Sequence, residues 1–255
     1  MRFRPCIDIH NGEVKQIVGG SLKDSGNQAE NNFISNYDAA FYANLYQKDG
    51  LRGGHIILLN PVESEFYERD LEQAKKALQQ FPGGLQIGGG VTTKNAKLLL
   101  DLGASHVIVT SYVFRDGKID YERLEKLSEL VGKEHLVLDL SCRFVNDDYY
   151  IVTDRWQKVT TEKFNPSLLE KLSAYCDEYL VHAVDVEGKK SGIEKEVIRR
   201  MAQYQGLPIT YAGGIHTLDD IYWIKDNGEN RVDYTIGSAL DLFGGKIPYQ
   251  KIITL

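Results

Sequence analysis

Two aspartates in similar surroundings are the first residues in this sequence that could do chemistry. Asp8 lies in the short apolar run at residues 3–9, and Asp139 lies near the end of a second run at residues 135–140. Runs this short favour buried strands over helices, so each strand would present a carboxylate near its C-terminal end. Such a pair indicates a general acid and a general base. The alternative, in which each Asp only ties down its neighbouring loop, stays open at this point.

Two glycine-rich turns form a second kind of candidate site. Each follows a predicted strand, and hydroxyl residues follow the next strand along the chain. Glycines let a backbone approach an anion, and exposed N–H groups can then hold it. Two related sites would suit a substrate with a phosphate at each end, although tight packing of the turns is an alternative. The residues concerned are Gly89, Gly90, Thr110 and Ser111 in the first half, and Gly213, Gly214, Gly237 and Ser238 in the second.

The elements that must position these residues alternate strictly between strand and helix patterns. Eight strands are predicted, each followed by a helical pattern except for a weak tail after residue 236. This alternation predicts an α/β fold, a closed (β/α)8 TIM barrel that forms one domain over residues 1–255. The strand C-termini of such a barrel meet at one mouth, so Asp8 and Asp139 would face each other there.

The predicted boundaries are as follows. Strands are expected at residues 3–9, 55–59, 85–87, 106–109, 136–140, 179–184, 208–211 and 232–236. Helices are expected at residues 38–46, with Asp38 as the N-cap, and at 70–80, 93–102, 121–131, 166–175, 193–203 and 218–226. Residues 14–18 read as extended chain, and residues 19–36 form a polar loop long enough to serve as a lid or binding loop.

An internal repeat supports the barrel. The strand with Asp8 matches the strand with Asp139, the two Gly-Gly turns match, and the strand before Ser111 matches the strand before Ser238. All three matches occur in the same order at an offset of roughly 125 residues, which predicts two duplicated half-barrels.

The long insert after the fifth strand, residues 141–158, contains an extended stretch at 149–152 and two further candidates. Trp156 could stack on a heterocycle and Arg143 could pair with a phosphate, although Trp156 could equally anchor the loop by packing. The position of His182 in the sixth strand favours its interpretation as a core histidine over a catalytic residue. The charged residues that follow it could line the mouth or be solvated; they are Asp185, Glu187, Lys189 and Lys190.

Composition excludes several classes of function. The formal charge of −6 argues against a nucleic-acid surface. No apolar run approaches the roughly 18 residues of a membrane span. No signal-peptide pattern is found at the start, and Cys6, Cys142 and Cys176 show neither pairing nor metal-ligand spacing, so we expect a cytoplasmic protein with structural cysteines and no metal.

Together these residues resemble the ProFAR isomerases of histidine biosynthesis, which act on phosphoribosylformimino-aminoimidazole carboxamide ribotide. The resemblance rests on Asp8, Asp139 and the segments 87–91, 212–215 and 236–239, and it covers nearly the whole chain. The long insertions, residues 143–150 among them, are similar to the eukaryotic branch of that family.

The resemblance implies an Amadori rearrangement of an aminoaldose to an aminoketose, with no cofactor. It implies that Asp8 is the base that takes the proton from C2 of the opened ribose, and that Asp139 is the acid that protonates the ring oxygen. It further implies that the substrate's two phosphates bind at the two groups of glycine and hydroxyl residues. Trp156 resembles the loop tryptophan that covers the substrate's imidazole.

The sequence departs from the bacterial pattern at three places. Asn60 stands where an Asp is usual, Ala183 stands where a Thr is usual, and the turn at 186–192 is longer. Three rival functions stay open: the cyclase of the next pathway step, a flavin-binding barrel oxidoreductase and a non-catalytic phosphoribosyl sensor. The cyclase typically ends its sixth strand in Ser-Ile-Asp-Arg-Asp-Gly, which residues 182–188 do not match, so the isomerase is favoured. We expect a monomer whose partner is a small bis-phosphorylated molecule.

Overall fold

A parallel sheet organises the computed structural model, which describes residues 1–18, 21, 30–189 and 192–255. Eight barrel strands pair in sequence order, each parallel to the next. Most of their residues are buried, as expected of strands covered on both faces. The barrel strands are β1 Cys6–His10, β2 Gly54–Leu58, β3 Leu85–Gly88, β4 Val107–Val109, β5 Leu136–Asp139, β6 Glu178–His182, β7 Ile209–Ala212 and β8 Val232–Tyr234.

The chain just before β1 closes this sheet onto β8. Phe3 forms a parallel bridge with Tyr234. The backbone N–H of Arg4 donates to the carbonyl oxygen of Tyr234 at 2.8 Å, and the N–H of Tyr234 donates to the carbonyl oxygen of Arg2 at 3.1 Å. The predicted eight-stranded TIM barrel is therefore confirmed, with the difference that residues 3–5 serve as the closing bridge and the first strand begins at Cys6.

A buried ionic layer lies beside the closing bridge. The Arg4 guanidinium donates to Asp233 at 2.9 Å and to Glu178 at 3.1 Å, and all three side chains are almost fully buried. Thr210 donates a further hydrogen bond to Glu178 at 3.3 Å. Charges buried this deeply require partners. This layer therefore ties the start of the chain to β6, β7 and β8.

One helix follows each barrel strand. Asp38 caps α1, as predicted, by accepting from the N–H of Phe41 at 3.1 Å. The predicted helix at 93–102 is shorter in the structure because the Asn95 side chain accepts from the N–H of Thr92 at 2.8 Å and holds residues 92–95 in a turn. The weak C-terminal tail contains the four-residue α8. The helices are α1 Ala39–Lys48, α2 Tyr67–Gln80, α3 Ala96–Asp101, α4 Tyr121–Val131, α5 Pro166–Leu172, α6 Lys195–Gln203, α7 Leu218–Asn227 and α8 Tyr249–Ile252.

Three antiparallel additions decorate the barrel. Strand Glu13–Ile17, predicted as extended chain, folds back on β1 and pairs with a further strand, Asn31–Ile34. Most of the predicted 19–36 loop lies outside the described residues. The insert after β5 forms a three-stranded sheet, and its central strand confirms the extended stretch expected at 149–152. The remaining strands are Cys142–Val145, Asp148–Thr153 and Lys158–Lys163 in the insert, and Phe114–Arg115 with Lys118–Ile119 in a short hairpin after β4.

Apolar packing fills the space between sheet and helices, and a smaller cluster fills part of the barrel interior. Ile108, Val137, Leu180 and Ala212 form that inner cluster, one residue from each of β4 to β7. Within the described ranges, no helix is long and apolar enough to cross a membrane.

Candidate active site

Asp8 lies in the middle of β1 with its side chain at the mouth of the barrel. Gln16, from the hairpin that folds back on β1, donates a hydrogen bond from Nε2 to Asp8 Oδ2 at 2.9 Å. Burial, and then the nearby Glu187 carboxylate, raise the pKa of Asp8 from 3.8 to about 7, although His182 and Gln16 act in the opposite direction. Near neutral pH this carboxyl group can therefore both accept and release a proton.

His182, the last residue of β6, contacts Asp139 and is near enough to Asp8 for each to shift the pKa of the other. Its Nδ1 is 3.3 Å from Oδ1 of Asp139, and the ring is mostly buried. Burial lowers its pKa, but the carboxylates of Asp139, Glu187 and Asp8 together raise it to about 9. Burial and the charge on His182 lower the pKa of His55, 6.4 Å away between ring centres, to about 3. The site thus holds one protonated imidazole next to one neutral imidazole.

Asp139 ends β5, as predicted; that it faces Asp8 across the mouth stays a prediction. Its Oδ1 accepts hydrogen bonds from the backbone N–H of Ser141 at 3.0 Å and from the Ser141 hydroxyl at 2.8 Å. With His182 on the same carboxylate, Asp139 is held by several donors at 9% exposure. The sequence favoured a core role for His182, whereas the structure places it on the wall of the pocket with its Nδ1 next to Asp139.

An open pocket of about 490 Å³ lies over this centre. Its walls come from β1, the hairpin strand Glu13–Ile17, and the loops after β6, β7 and β8. Asp8, His182 and the second glycine turn therefore share one cavity at the C-terminal face of the barrel, where such sites are expected, whereas Asp139 is not among its lining residues. The lining includes Asp8, Gln16, His182, Glu187, Gly213, Gly214, Gly237 and Ser238.

The two Gly-Gly turns have closely similar geometry. Gly89 and Gly213 have φ of +103° and +132°, and Gly90 and Gly214 both have φ of +68°. A Cβ on Gly89 would lie 2.2 Å from the carbonyl oxygen of Leu58, and one on Gly213 would lie 2.9 Å from that of Ala183. Backbone in these conformations and this close to its neighbours requires glycine. The equivalent contacts in both halves support the predicted duplication.

The hydroxyl residues of the two halves differ in their surroundings. Ser238 lines the pocket and is 7% exposed. Ser111, after β4, accepts a hydrogen bond at 2.8 Å from the backbone N–H of Asp154, which lies at the tip of the insert. Thr110 precedes it at the start of a single 3₁₀ turn. The tip of the insert therefore contacts the first predicted phosphate site, which follows the neighbouring strand β4.

The two candidates in the insert have different partners. Trp156 donates from Nε1 to the Ser141 hydroxyl at 3.1 Å, and its ring centre is 5.9 Å from that of His182. It therefore lies beside His182 without lining the pocket, and both of its predicted roles, stacking on a heterocycle and anchoring the loop, stay predictions. Arg143 instead pairs with Asp185 at 3.2 Å, and it is not among the residues that line the pocket. This ion pair keeps the guanidinium at the rim, so its role as a phosphate ligand stays a prediction.

Of the charged residues after β6, one reaches the pocket. Burial raises the pKa of Glu187, which lines the cavity beside His182. Asp185 pairs with Arg143, and the Lys189 ammonium donates to the carbonyl oxygen of Asp185 at 2.6 Å. Lys190 lies outside the described residues. All three cysteines are free and buried, and burial raises their pKa, which agrees with a structural role.

Sequence reasoning missed Gln16 and Ser141 and undervalued His182. A titratable side chain at the end of a barrel strand is a recognisable signal, and His182 carried it. Gln16 and Ser141 gave none, because only the folded hairpin and the turn after β5 bring them to the aspartates. Among the described residues, no cluster of three or more His, Cys, Asp or Glu side chains could hold a metal ion.

A closed (β/α)8 barrel with an acid–base centre and two matching glycine turns at its mouth defines a class of small-molecule barrel enzyme. Comparison with known proteins narrows the class: the chain belongs to the histidine biosynthesis protein family, whose sequence profile matches residues 2–248.

Curated relatives agree in their names. A chloroplastic protein of Medicago truncatula is 49% identical over 99% of this chain and 81% of its own length. Proteins of Neurospora crassa and Saccharomyces cerevisiae are 43% and 40% identical, each over 96% of this chain and 94% of their own length. All three are named 1-(5-phosphoribosyl)-5-((5-phosphoribosylamino)methylideneamino)imidazole-4-carboxamide isomerase.

Proposed function

We propose that this protein is the isomerase of histidine biosynthesis that converts ProFAR to its ribulosyl form by an Amadori rearrangement. The observation that carries the proposal is the pair of His182 and Asp139 in contact, with Asp8 in the same pocket as His182, at a mouth with two matching glycine turns. An aldose–ketose isomerisation of this kind needs one group that removes a proton from C2 and another that delivers a proton to the ring oxygen. The family membership and the names of the relatives support the same reaction.

Asp8 acts as the general base. A base is most effective when its pKa lies near the working pH, because it is then ionised in a useful fraction and still binds a proton strongly. The pKa of about 7 that burial and Glu187 give to Asp8 meets this condition. Gln16 fixes the carboxylate through its hydrogen bond to Oδ2, which leaves the other oxygen, Oδ1, for C2 of the substrate.

Asp139 acts as the acid together with His182. The carboxylate is held by the backbone and hydroxyl of Ser141, and the imidazole carries the proton between it and the pocket. A proton shared by this pair reaches the ring oxygen from the side opposite Asp8. Asp8 is thus the proton acceptor and the Asp139–His182 pair is the proton donor, the arrangement that acid–base isomerisation requires.

The substrate spans the mouth with one phosphate at each glycine turn. Gly213, Gly214, Gly237 and Ser238 already line the pocket, so this end has the more complete cradle. Gly89, Gly90, Thr110 and Ser111 receive the second phosphate under the tip of the insert. Trp156 lies next to His182, where its ring can cover the imidazole of the substrate.

The reaction as written needs no redox agent, because protons move and the electrons stay within the substrate. We propose that one barrel domain acts as a monomer, without nucleic acid or membrane, in a reducing compartment such as the cytoplasm. Light scattering of the purified protein tests the first point. A fluorescent fusion tests the compartment, for which the plastid is the main alternative because one relative is chloroplastic.

The proposal is tested by incubating purified protein with ProFAR and following the ketose product. We expect turnover by the wild type, and loss of at least 10³-fold in kcat for Asp8→Asn with the fold retained. Asp226→Asn, which removes an exposed carboxylate on α7, is the matched control and keeps full activity. Wild-type protein that leaves ProFAR unconverted would refute the proposal, and conversion of the ketose product to imidazole glycerol phosphate with ammonia would favour the cyclase.

A further inference from the structure

The buried hydroxyl of Ser141 joins two parts of the site that the chain keeps apart. It donates to Asp139 Oδ1 at 2.8 Å, and the same hydroxyl oxygen accepts from Trp156 Nε1 at 3.1 Å. Ser141 has no exposed surface, so bulk water does not replace either bond. A continuous chain of hydrogen bonds therefore runs from the tip of the insert to the carboxylate that holds His182.

The tip itself is in a conformation that needs outside support. Asp154, Arg155 and Trp156 all have left-handed backbone, with φ between +52° and +66°. A non-glycine residue in this conformation is strained and persists only where surrounding contacts hold it. Two of those contacts are the hydrogen bonds from Asp154 to Ser111 and from Trp156 to Ser141. The hydrogen bond to Ser141 is thus one of the contacts that hold the tip of the insert in place.

We propose that Ser141 is a positioning residue through which the seated Trp156 sets the proton affinity of the Asp139–His182 pair. A hydroxyl that accepts from an N–H becomes a stronger donor. The seated indole therefore strengthens the bond from Ser141 to Asp139 and stabilises the carboxylate. A better stabilised carboxylate holds the His182 proton less tightly, so the acid is strongest when the tryptophan is in place.

This inference rests on the proposed function and makes a kinetic prediction. Ser141→Ala removes a hydrogen bond to a charged group, so the alkaline limb of the kcat profile should move up by about 1 pH unit. A weaker acid should lower kcat near pH 7.5 by about 10-fold. Trp156→Phe keeps an aromatic ring but loses the N–H, and should shift the limb the same way by a smaller amount.

The double variant distinguishes two cases. Either Trp156 acts on Asp139 through Ser141, which we call the relay, or the two residues contribute to kcat independently. If Trp156 acts on Asp139 through Ser141, then adding Trp156→Phe to Ser141→Ala changes neither kcat nor the alkaline limb further. Thr160→Val is the control, because it deletes a buried hydroxyl of the same insert that bonds only within the insert, to Ile151 and Glu162. We expect the control to leave the limb in place. Additive losses in kcat, or an unmoved limb in Ser141→Ala, would overturn the inference.

A measurement without substrate separates this inference from the proposed function. The chain has two tryptophans, Trp156 and Trp223, so a nitrogen–proton correlation spectrum shows two indole signals that Trp156→Phe assigns. Ser141→Ala should move the Trp156 signal alone and raise the pKa of His182 in an NMR titration. Both changes in a protein that fails to convert ProFAR would refute the function and keep the relay. An unmoved indole signal or an unmoved His182 titration would refute the relay, whatever the activity.

Discussion

Replacing Asp8 by Asn should abolish turnover and, at the same time, stabilise the fold above neutral pH. The pKa of Asp8 rises from 3.8 to about 7 on folding, so the folded state binds a proton that the unfolded chain releases. Below pH 4 the group is protonated in both states and no penalty exists. Between pH 4 and 7 the unfolded chain ionises first, and folding becomes progressively less favourable until the full penalty is reached above pH 7.

The size of the penalty follows from the shift. About three pKa units correspond to about 4 kcal/mol, and partial exposure of Asp8 at the pocket mouth reduces this to a range of about 2–4 kcal/mol. Asn carries no charge and still accepts the hydrogen bond from Gln16. Denaturant unfolding should therefore show Asp8→Asn more stable than wild type by that range at pH 8, and by no more than about 1 kcal/mol at pH 4.5.

Asp226→Asn provides the comparison at both pH values. A stability gain for Asp8→Asn that is the same at pH 4.5 and pH 8 would show that the effect comes from packing and not from ionisation. A loss of stability at pH 8 would refute the assignment of Asp8 as a carboxylate destabilised by burial.

Two further predictions concern the neighbours of the site and the closure of the barrel. Gln16→Leu removes the hydrogen-bond donor to Asp8 and should raise the pKa of Asp8, so the acid limb of the kcat/KM profile should move up by about 1 pH unit. An acid limb that stays in place would contradict a role for Gln16 in the site. Arg4→Met leaves Glu178 buried without its cation, whereas Asp233 keeps its ion pair with Arg2 at 3.2 Å. The change should lower the free energy of unfolding by about 3–5 kcal/mol; urea unfolding measures it, and a change below about 1 kcal/mol would contradict a structural role for the ion pairs.

The sequence was sufficient to predict the barrel because its parallel strands are buried on both faces and read as short apolar runs between amphipathic helices. It was also sufficient for Asp139 and the glycine turns, since both lie at strand ends that must meet at one mouth. The bounds of α4 were predicted without error, because Asp120 caps its start and Gly132 follows its end. Helix α3 was predicted too long, because the Asn95 side chain accepts from the N–H of Thr92 and holds residues 92–95 in a turn before the helix begins.

What the sequence could not supply were contacts between distant segments. Gln16 reaches Asp8 only because its strand folds back on β1, and no pattern in residues 13–17 indicates that pairing partner. The antiparallel sheet of the insert brings Trp156 to Ser141, whereas the sequence treated the two as unrelated. His182 was undervalued because a single histidine in an apolar strand has the same appearance whether it packs or titrates.

The bridge between Phe3 and Tyr234 has a consequence for the order of events during synthesis. Arg4 and Asp233, which are joined by an ion pair, are 229 residues apart in the chain, so the ribosome has released most of the protein before the barrel can close. Until then the chain just before β1, around Phe3 and Arg4, lacks its partner Tyr234 and exposes unpaired backbone groups, which is a known route to aggregation. Slower synthesis at low temperature, or a chaperone that shields the first strand, should therefore increase the yield of active protein.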